Sequence, residues 1–341
     1  MSQKRWRVES GELGYEELLA LSWGWRPSLL LLEASRAGVF DAAAGGWRTG
    51  DEIAAALGAN PRAVELLLFG LAGAGLMKKS GARYRNTDAI ERHFVRASPE
   101  YRGAILDLDR RAVNNWGHIG EVLASGRPIP KPEQTEEEKR AWQETFIRAM
   151  DALARLHVEE VVGALPQAGG MRLLDIGCGP ATYLIEWLRR VPDGRAVAFD
   201  RPASGDTVLR LARTAGVGDR VEFMGGDFTL DTFKHGGPFD VTLVSQVLHI
   251  LGADGARELL KRAAAATRPG GVVAVHEMAL GPDEHPGAAG IFAVQMMLGT
   301  AEGCVFTDAE LRALLADAGL TVEDARPTDN RSRIYLGRKP V

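Results

Sequence analysis

The stretch MRLLDIGCGPATY, residues 171–183, sets the architecture of the second half of this chain. A short apolar run ends in Asp175, a turn containing Gly177 and Gly179 follows, and a helix is predicted from about Ala181 to Val191. Glycine has no Cβ, so the backbone can approach a ligand closely at this turn. The first N–H groups of the helix point toward whatever binds over the turn. The pattern predicts a nucleotide-sized site.

The composition is that of an ordinary globular protein, with 45% hydrophobic and 25% charged residues among 341. This length is typical of two domains. The formal net charge of -4 gives no general attraction to nucleic acid or anionic membrane, so neither is a predicted partner. Cys178 and Cys304 cannot build a disulfide framework, and no spacing suggests metal ligands. Because the chain shows neither a signal-peptide pattern nor a spanning apolar run, we predict a cytoplasmic protein.

Residues 1–100 are predicted to form a helical domain of the winged-helix type. Thr49 and Glu52 have the spacing of a capping box, Asn60-Pro61 begins another helix, and KKSGARYRNT (residues 78–87) predicts a hairpin. DNA binding is disfavoured, because these residues hold 13 Lys+Arg against 12 Asp+Glu. The apolar helices of residues 18–34 have more hydrophobic surface than one small domain buries, which predicts a homodimer.

Residues 101–168 are predicted to form a helical layer that binds the substrate, with long helices over Tyr101–Gly120 and Glu138–Leu165. One face of the second helix is apolar and aromatic; core packing is its ordinary explanation, and the roof of a small-molecule pocket is the functional alternative. Three arginines could bind a substrate carboxylate, although solvated helix charges are the commoner case: Arg110, Arg111 and Arg148. The side chains assigned to substrate binding are Trp116, Trp142, Phe146, Met150, Phe292 and Met296.

In residues 169–341 short apolar strands alternate with helices, which predicts right-handed crossovers and a parallel sheet of the α/β class. Ligands of such sheets bind beyond the carboxyl ends of the strands. The cofactor-binding residues predicted there are Asp175, Gly177, Gly179, Asp200, Arg201, Asp227, Phe228, Ser245 and Gln246.

Two nucleotide cofactors are compatible with a glycine turn at a strand end. A dinucleotide-binding G-x-G-x-x-G turn needs a third glycine, and this chain has Thr182 there. Asp175 would also repel a pyrophosphate, whereas it suits the amino group of a methionine moiety. S-adenosylmethionine is therefore favoured over NAD.

The motifs LLDIGCGPATY, AFDRP, GGDF, SQVLHI and RPGGVVAVHEM occur in this order between residues 173 and 278. With them the chain resembles, over nearly its whole length, the S-adenosylmethionine-dependent small-molecule methyltransferases of the plant caffeate and isoflavone O-methyltransferase type. The resemblance implies a Rossmann-like domain with a mainly parallel seven-stranded sheet, preceded by a winged-helix dimerisation domain. It also implies that Asp227 and Phe228 lie at the adenine and Ser245 near the ribose or adenine edge.

The resemblance implies that His249 is the catalytic base and that Glu277 orients it, with S-adenosylhomocysteine as product. The family's Leu-His-Asp-Trp motif is altered, because Ile250 and Leu251 follow the histidine. A second glutamate is expected where this chain has Val305, with Glu302 nearby. An easily ionised hydroxyl or thiol, or a thioether acceptor, would need less help from a base. Alternatively, proximity of the reactants supplies most of the rate.

Three functions remain open from the sequence. The first is a small-molecule O-methyltransferase, the second an S-methyltransferase for a thioether or thiol such as a methylthio-hydroxy acid. The third is a protein that binds S-adenosylmethionine without transferring a methyl group, for example as a regulator. The other histidines, His118, His157 and His276, are expected to be structural or at the surface.

Overall fold

The computed structural model describes residues 12–233, 236–281, 285–323, 325–328 and 332–341. Contacts group the described residues into two units: one contains 12–114 and 140–152, and the other contains 115–139 and the residues after 152. The domain boundaries expected near residues 100 and 168 stay a prediction, since a grouping by contacts reports packing and does not report which segments fold independently.

The first unit combines short helices with a small antiparallel sheet. Its elements are α1 (Tyr15–Trp23), α2 (Trp25–Arg36), α3 (Val39–Ala42), β1 (Arg48–Thr49), α4 (Gly50–Leu57), α5 (Pro61–Gly73), β2 (Met77–Ser80), β3 (Arg83–Asn86), α6 (Asp88–Phe94) and most of α7 (Ala104–Trp116). The strand order is β1-β3-β2, and the hairpin β2–β3 confirms the turn predicted for residues 78–87. Phe40, Leu68 and Tyr84 are fully buried in the core of this unit.

The helix starts predicted in this unit are confirmed by their caps. Thr49 Oγ1 accepts the N–H of Glu52 at 3.2 Å, and the Glu52 carboxylate accepts the N–H of Thr49 at 2.7 Å. Asn60 Oδ1 accepts the N–H of Ala63 at 3.0 Å. Such a cap stabilises a helix by about 1 kcal/mol. Among the described residues no single helix is long and apolar enough to cross a membrane; α4 and α5 qualify only together and are bent by 117°.

The described middle of the chain contains four helices where the sequence predicts two long helices. It contains α8 (Ile119–Ser125), α9 (Glu136–Ala154) and α10 (Val158–Ala164) after α7. The single helices expected over Tyr101–Gly120 and Glu138–Leu165 are therefore wrong. Each is interrupted by a tight turn. In the first turn the backbone N–H of His118 donates to the carbonyl of Asn115, and in the second the backbone N–H of His157 donates to the carbonyl of Ala154. The apolar periodicity continues across both turns, so it could not reveal them.

The second unit is built on a large sheet. Its further elements are β4 (Arg172–Ile176), α11 (Thr182–Arg190), β5 (Arg195–Asp200), α12 (Gly205–Thr214), β6 (Val221–Gly225), β7 (Phe239–Ser245), α13 (Ala253–Ala266), β8 (Thr267–Leu280), α14 (Gly287–Gly299), β9 (Phe306–Thr307), α15 (Asp308–Asp317), β10 (Thr321–Val322), β11 (Arg326–Pro327) and β12 (Ser332–Arg338).

The predicted seven-stranded, mainly parallel sheet is confirmed as the path β10-β12-β8-β7-β4-β5-β6. The two-residue strands β9 and β11 pair with β8 and β12, which makes nine strands in all. The strands from β8 to β6 run parallel, and β12 is antiparallel to β8. The chain runs outward from β4 to β6 and then returns to β7 on the other side of β4. This reversal is the position at which open α/β sheets bind ligands.

Candidate active site

Two glycines with positive φ shape the turn after β4, and Ala181 at the end of the turn also has a positive φ of +60°. Gly177 has φ +71°, and a Cβ there would lie 2.6 Å from Cγ2 of Val247. Gly179 has φ +52°, and a Cβ there would meet nothing within 4 Å. The first glycine is needed for close packing against the segment after β7, whereas the second faces open space that a ligand could fill. The N–H groups of Gly177 and Cys178 are bonded to the carbonyl of Phe199, which ties the turn to β5.

Asp175 lies under this turn and is 1% exposed. Its Oδ2 atom has no hydrogen-bond partner among the described residues. Burial, together with the nearby charge of Asp200, raises its pKa to about 8. A buried carboxyl group with an unfilled acceptor position suits a cationic ligand group, and this fits the ammonium of a methionine moiety.

Asp200 is fixed beside the turn at the end of β5. Its Oδ2 accepts the N–H of Gly179 at 2.8 Å, and its Oδ1 accepts the N–H of Arg201 at 2.7 Å and the hydroxyl of Ser204 at 3.1 Å. This places a carboxylate next to the open side of the turn, where it could accept hydrogen bonds from a ribose. Arg201 is exposed at the sheet rim.

Asp227 and Phe228 follow β6, one strand further along the rim. Asp227 is exposed, and hydrogen bonds from the Thr229 hydroxyl and N–H lower the pKa of its carboxyl group. Phe228 is half-buried against the core of the sheet. The order β4-β5-β6 therefore places Asp175, Asp200 and Asp227 in sequence along one edge, as an extended nucleoside ligand requires.

His249 and Glu277 form a buried pair at the carboxyl ends of β7 and β8. His249 lies in a 3₁₀ turn, Leu248–Ile250, and its Nδ1 is 2.8 Å from Glu277 Oε1. Glu277 is 0% exposed, and its oxygens also accept the N–H groups of Leu248, His249 and Met278. Because a carboxylate can only accept, Nδ1 of His249 carries the proton. Nε2 then has a free lone pair and can accept a proton from another group.

Helix α14 and the end of α7 contribute apolar side chains near this pair. The ring of Phe292 stands edge to face with the His249 ring, at 4.9 Å between centroids. The indole N–H of Trp116 donates to Oε1 of Gln295, one turn along α14. Met296 is half-buried on the same helix. Sequence analysis did not identify Gln295, because a polar residue inside an apolar helix has no pattern of its own.

The remaining substrate candidates lie in the first unit, on α9. The rings of Trp142 and Phe146 are 6.4 Å apart, and the guanidinium of Arg111 lies 4.0 Å from the centre of the Trp142 ring. Arg148 is paired with Glu144, as expected of an exposed helix charge. The assignment of Trp142, Phe146 and Met150 to the substrate stays a prediction, as does a role for Arg110, whose Nε is buried with no described partner.

The loop after α14 differs from the arrangement that the resemblance implies. Val305 is half-buried, and Glu302 is exposed with its carboxylate beside Gly252. Cys304 contributes its backbone N–H, which donates to the His249 carbonyl at 2.9 Å. Among the residues that the structure describes, Glu277 is the carboxylate hydrogen-bonded to His249.

Ser245 is the last residue of β7, and Gln246 follows it, beside the glycine turn. The Ser245 hydroxyl is bonded to His276 Nδ1 at 2.9 Å, and the N–H of Gln246, which has φ +55°, donates to the His276 carbonyl at 2.8 Å. From the sequence, His276 is expected to be either structural or at the surface. It is 1% exposed and lies in the interior, so the surface position is wrong. No group of three or more potential metal ligands occurs in the described part of the chain.

Comparison with known proteins matches residues 124–321 to the family described as O-methyltransferase domain. The chain is 28% identical over 322 residues to 3-hydroxy-5-methyl-1-naphthoate 3-O-methyltransferase of Streptomyces sahachiroi, covering 92% of both chains. It is also 28% identical over 341 residues to tetracenomycin polyketide synthesis 8-O-methyl transferase of Streptomyces glaucescens, covering 96% of this chain and 97% of that one. A solved O-methyltransferase family protein of Burkholderia thailandensis superposes with a TM-score of 0.83 at 29% identity, covering 97% and 99%.

Proposed function

The chain belongs to the O-methyltransferase family, and from this premise we propose that it methylates a hydroxyl group on an aromatic small molecule, with S-adenosylmethionine as donor. The observation that supports the proposal most is the buried pair of His249 and Glu277. It provides a proton acceptor at the sheet edge where the glycine turn and the row of carboxylates also lie.

The residues at the sheet edge suit each part of the cofactor. The open face of Gly179 leaves room for the cofactor, and Asp175 offers an unfilled acceptor to its ammonium. Asp200, whose two oxygens are held by backbone and Ser204, is assigned to the ribose hydroxyls. Asp227 and Phe228, which follow β6 at the same edge, are assigned to the adenine. When bound, the cofactor supplies a methyl group on a positively charged sulfur. The chain's own residues must then orient the acceptor and remove its proton.

His249 is the proposed general base. Glu277 Oε1 accepts the hydrogen bond from Nδ1–H, with 2.8 Å between the nitrogen and the oxygen. Nε2 is therefore the atom that accepts the hydroxyl proton as the acceptor oxygen bonds to the methyl group. The positive charge that develops on the ring is stabilised by the buried carboxylate, which three backbone N–H groups hold in place. The ring of Phe292 packs edge to face against the His249 ring and so limits its movement.

An aromatic hydroxyl is the methyl acceptor that the side chains on α14 and at the end of α7 favour. Trp116 and Phe292 present flat apolar surfaces, and Gln295 fixes the Trp116 indole. Of the two relatives reported above, one is named for the 3-O-methylation of a hydroxynaphthoate and the other for an 8-O-methylation in tetracenomycin polyketide synthesis. A thioether has no proton to lose and would gain nothing from a buried His–Glu pair, so that alternative is less well supported.

The proposal predicts that the purified protein transfers a labelled methyl group from S-adenosylmethionine to the phenolic oxygen of a hydroxynaphthoic acid. Mass spectrometry would locate the label, and methoxynaphthoic acid, which has no free phenol, is the matched control. Transfer to a thioether such as a methylthio-hydroxy acid, with none to hydroxyl compounds, would refute O-methylation. Tight cofactor binding without any methylated product across phenols, thiols, thioethers and amines would favour the regulatory alternative.

We also propose that the protein is a homodimer associated through its first unit. Helices α1 and α2 leave large apolar side chains in solvent: Tyr15 is 76%, Trp23 53% and Trp25 56% exposed. Several large apolar side chains exposed within one short segment are typical of an interaction site. Light scattering should give twice the chain mass of 36.8 kDa for the wild type and a single chain mass for Trp25→Glu.

The matched control for this dimer is Leu230→Glu, because Leu230 is 76% exposed in the second unit. That variant should have the wild-type mass. A wild-type monomer at micromolar concentration, or a Trp25→Glu variant that remains dimeric, would contradict the proposal.

A further inference from the structure

The loop that joins α14 to β9, residues 300–304, is anchored on both sides, and we refer to it as the brace. At its start the Thr300 hydroxyl donates to the carbonyl of Met296 in the last turn of α14, at 2.7 Å. The same hydroxyl accepts the N–H of Gly303 at 2.9 Å, which folds the brace back toward α14. Just beyond its end, Phe306 pairs with β8 and is 2% exposed in the core of the sheet. These attachments limit the movement of the brace.

The brace is bonded to the 3₁₀ turn that carries His249. The N–H of Cys304 donates to the His249 carbonyl at 2.9 Å. Glu277 accepts the His249 N–H at 3.3 Å and also bonds to Nδ1 of the ring. Both backbone polar groups of the proposed base are thus held, one by β8 and the other by the brace. The side chain that follows, Val305, is apolar, so the brace acts on His249 through its main chain.

Gly303 permits this close approach because it has no side chain. A Cβ there would overlap the Thr300 hydroxyl oxygen and lie 2.8 Å from the His249 carbonyl oxygen. A carbon atom and a carbonyl oxygen normally approach to about 3.3–3.6 Å, so a methyl group at this position would push the brace and the His249 turn apart. Gly299, at the end of α14, has nothing within 4 Å of a Cβ. The requirement for glycine is therefore specific to the contact with His249.

We propose that Gly303 and Thr300 are positioning residues for the removal of the hydroxyl proton, because through the brace they hold His249 at a fixed place relative to α14. Phe292 and Met296, the side chains of α14 assigned to the acceptor, then keep a constant distance from the base. This inference rests on the proposed function, since it matters only if His249 takes a proton from the acceptor. A displacement of about 1 Å at such a site can cost about 100-fold in rate.

The first test is Gly303→Ala, with Gly299→Ala as the matched control. With a weakly acidic phenol, steady-state kinetics should show kcat lowered about 10- to 100-fold by Gly303→Ala, since the base is displaced. The dissociation constant for S-adenosylhomocysteine should change less than about twofold, which also shows that the variant is folded. Toward a phenol already ionised at the assay pH the variant should lose far less activity, because no proton has to be removed. Gly299→Ala should keep the wild-type kcat on both phenols.

The second test asks whether this effect passes through His249. In a His249→Ala background, Gly303→Ala should cause no further loss of kcat, because the group that it displaces is gone. A residue needed only for the folded structure would lower kcat in both backgrounds.

The third test keeps the brace glycine and changes its hydrogen-bond partner. Thr300→Val preserves the shape of the side chain and removes the hydroxyl that accepts the Gly303 N–H, so kcat on the weakly acidic phenol should fall up to about 10-fold. Thr300→Ser retains the hydroxyl and should restore most of that loss. If Gly303→Ala fails to bind S-adenosylhomocysteine because it does not fold, the comparison of these two variants decides the proposal.

Wild-type kcat in a folded Gly303→Ala, or an equal loss toward weakly acidic and ionised phenols, would overturn the positioning proposal and leave O-methylation intact. A further loss when Gly303→Ala is added to His249→Ala would also overturn it, as would a Thr300→Ser variant as slow as Thr300→Val. A wild-type protein that methylates no phenol would instead remove the proposed function, and this inference with it.

Discussion

Replacing His249 by alanine should lower kcat about 100- to 10,000-fold, the range found for loss of a positioned general base. The reason is that Nε2 of His249 is the proposed proton acceptor, whereas cofactor binding uses the turn after β4 and the carboxylates beyond it. The dissociation constant for S-adenosylhomocysteine should therefore change less than about twofold. Steady-state kinetics with a hydroxynaphthoic acid, together with calorimetry, would measure the two quantities.

The size of this loss should depend on the acidity of the acceptor. A phenol that is already ionised at the assay pH needs no base, so the His249→Ala variant should lose less activity toward acidic phenols.

Glu277→Gln should show a smaller loss of kcat than His249→Ala, because the imidazole ring remains and only its charge partner is gone. His118→Ala is the matched control, since His118 is exposed and paired with Glu121. An alanine variant with wild-type turnover on a weakly acidic phenol would remove His249 as the base.

Asp175→Asn should weaken S-adenosylhomocysteine at least about 30-fold, as expected when one partner of a buried charge pair is lost. The same substitution should stabilise the unliganded protein at pH 8 and above. The pKa of Asp175 is raised from 3.8 to about 8 by burial and by Asp200, so the folded state favours the protonated form. The folding stability contributed by this carboxyl group therefore falls as the pH rises from 3.8 to about 8. An amide, which cannot ionise, avoids that loss.

The same raised pKa makes cofactor binding depend on pH. Below pH 8 the unliganded Asp175 is mostly protonated, and binding an ammonium group requires it to release that proton. The affinity for S-adenosylhomocysteine should fall up to about tenfold for each pH unit below 8. Calorimetry in buffers of different ionisation enthalpy should detect the released proton in the wild type but not in Asp175→Asn. Tight binding by the Asn variant, or binding independent of pH between 6 and 8, would show that Asp175 does not meet the ammonium.

The strand, glycine turn and helix at the proposed cofactor edge could be predicted from the sequence because their determinants are local. Asp175, Gly177 and Gly179 are neighbours in the chain, and a strand followed by a glycine turn and a helix has one usual geometry. The alternation of strands and helices predicted the parallel sheet, and the resemblance implied its seven strands. The pair of His249 and Glu277 came from the resemblance, since nothing in the local sequence brings together two residues 28 positions apart.

Other features depend on contacts that no local pattern encodes. The turns at His118 and His157 interrupt helices without interrupting the apolar periodicity. The hydrogen bonds from Ser245 through His276 to Ser332 join β7, β8 and β12, and each of these residues alone is typical of ordinary structure. The position of Glu302 beside Gly252 likewise depends on the path of a loop.

Glu277 accepts three backbone N–H groups in addition to the His249 ring, so the geometry proposed for proton transfer is built into the sheet itself. Trp116, Phe292 and Gln295, by contrast, stand on helices outside the sheet. If the proposed roles hold, substitutions on those helices change which molecule is methylated and leave the proposed base in place. For evolution and for enzyme engineering alike, new acceptors would then be accessible by altering α14 and the end of α7, without rebuilding the pair of His249 and Glu277.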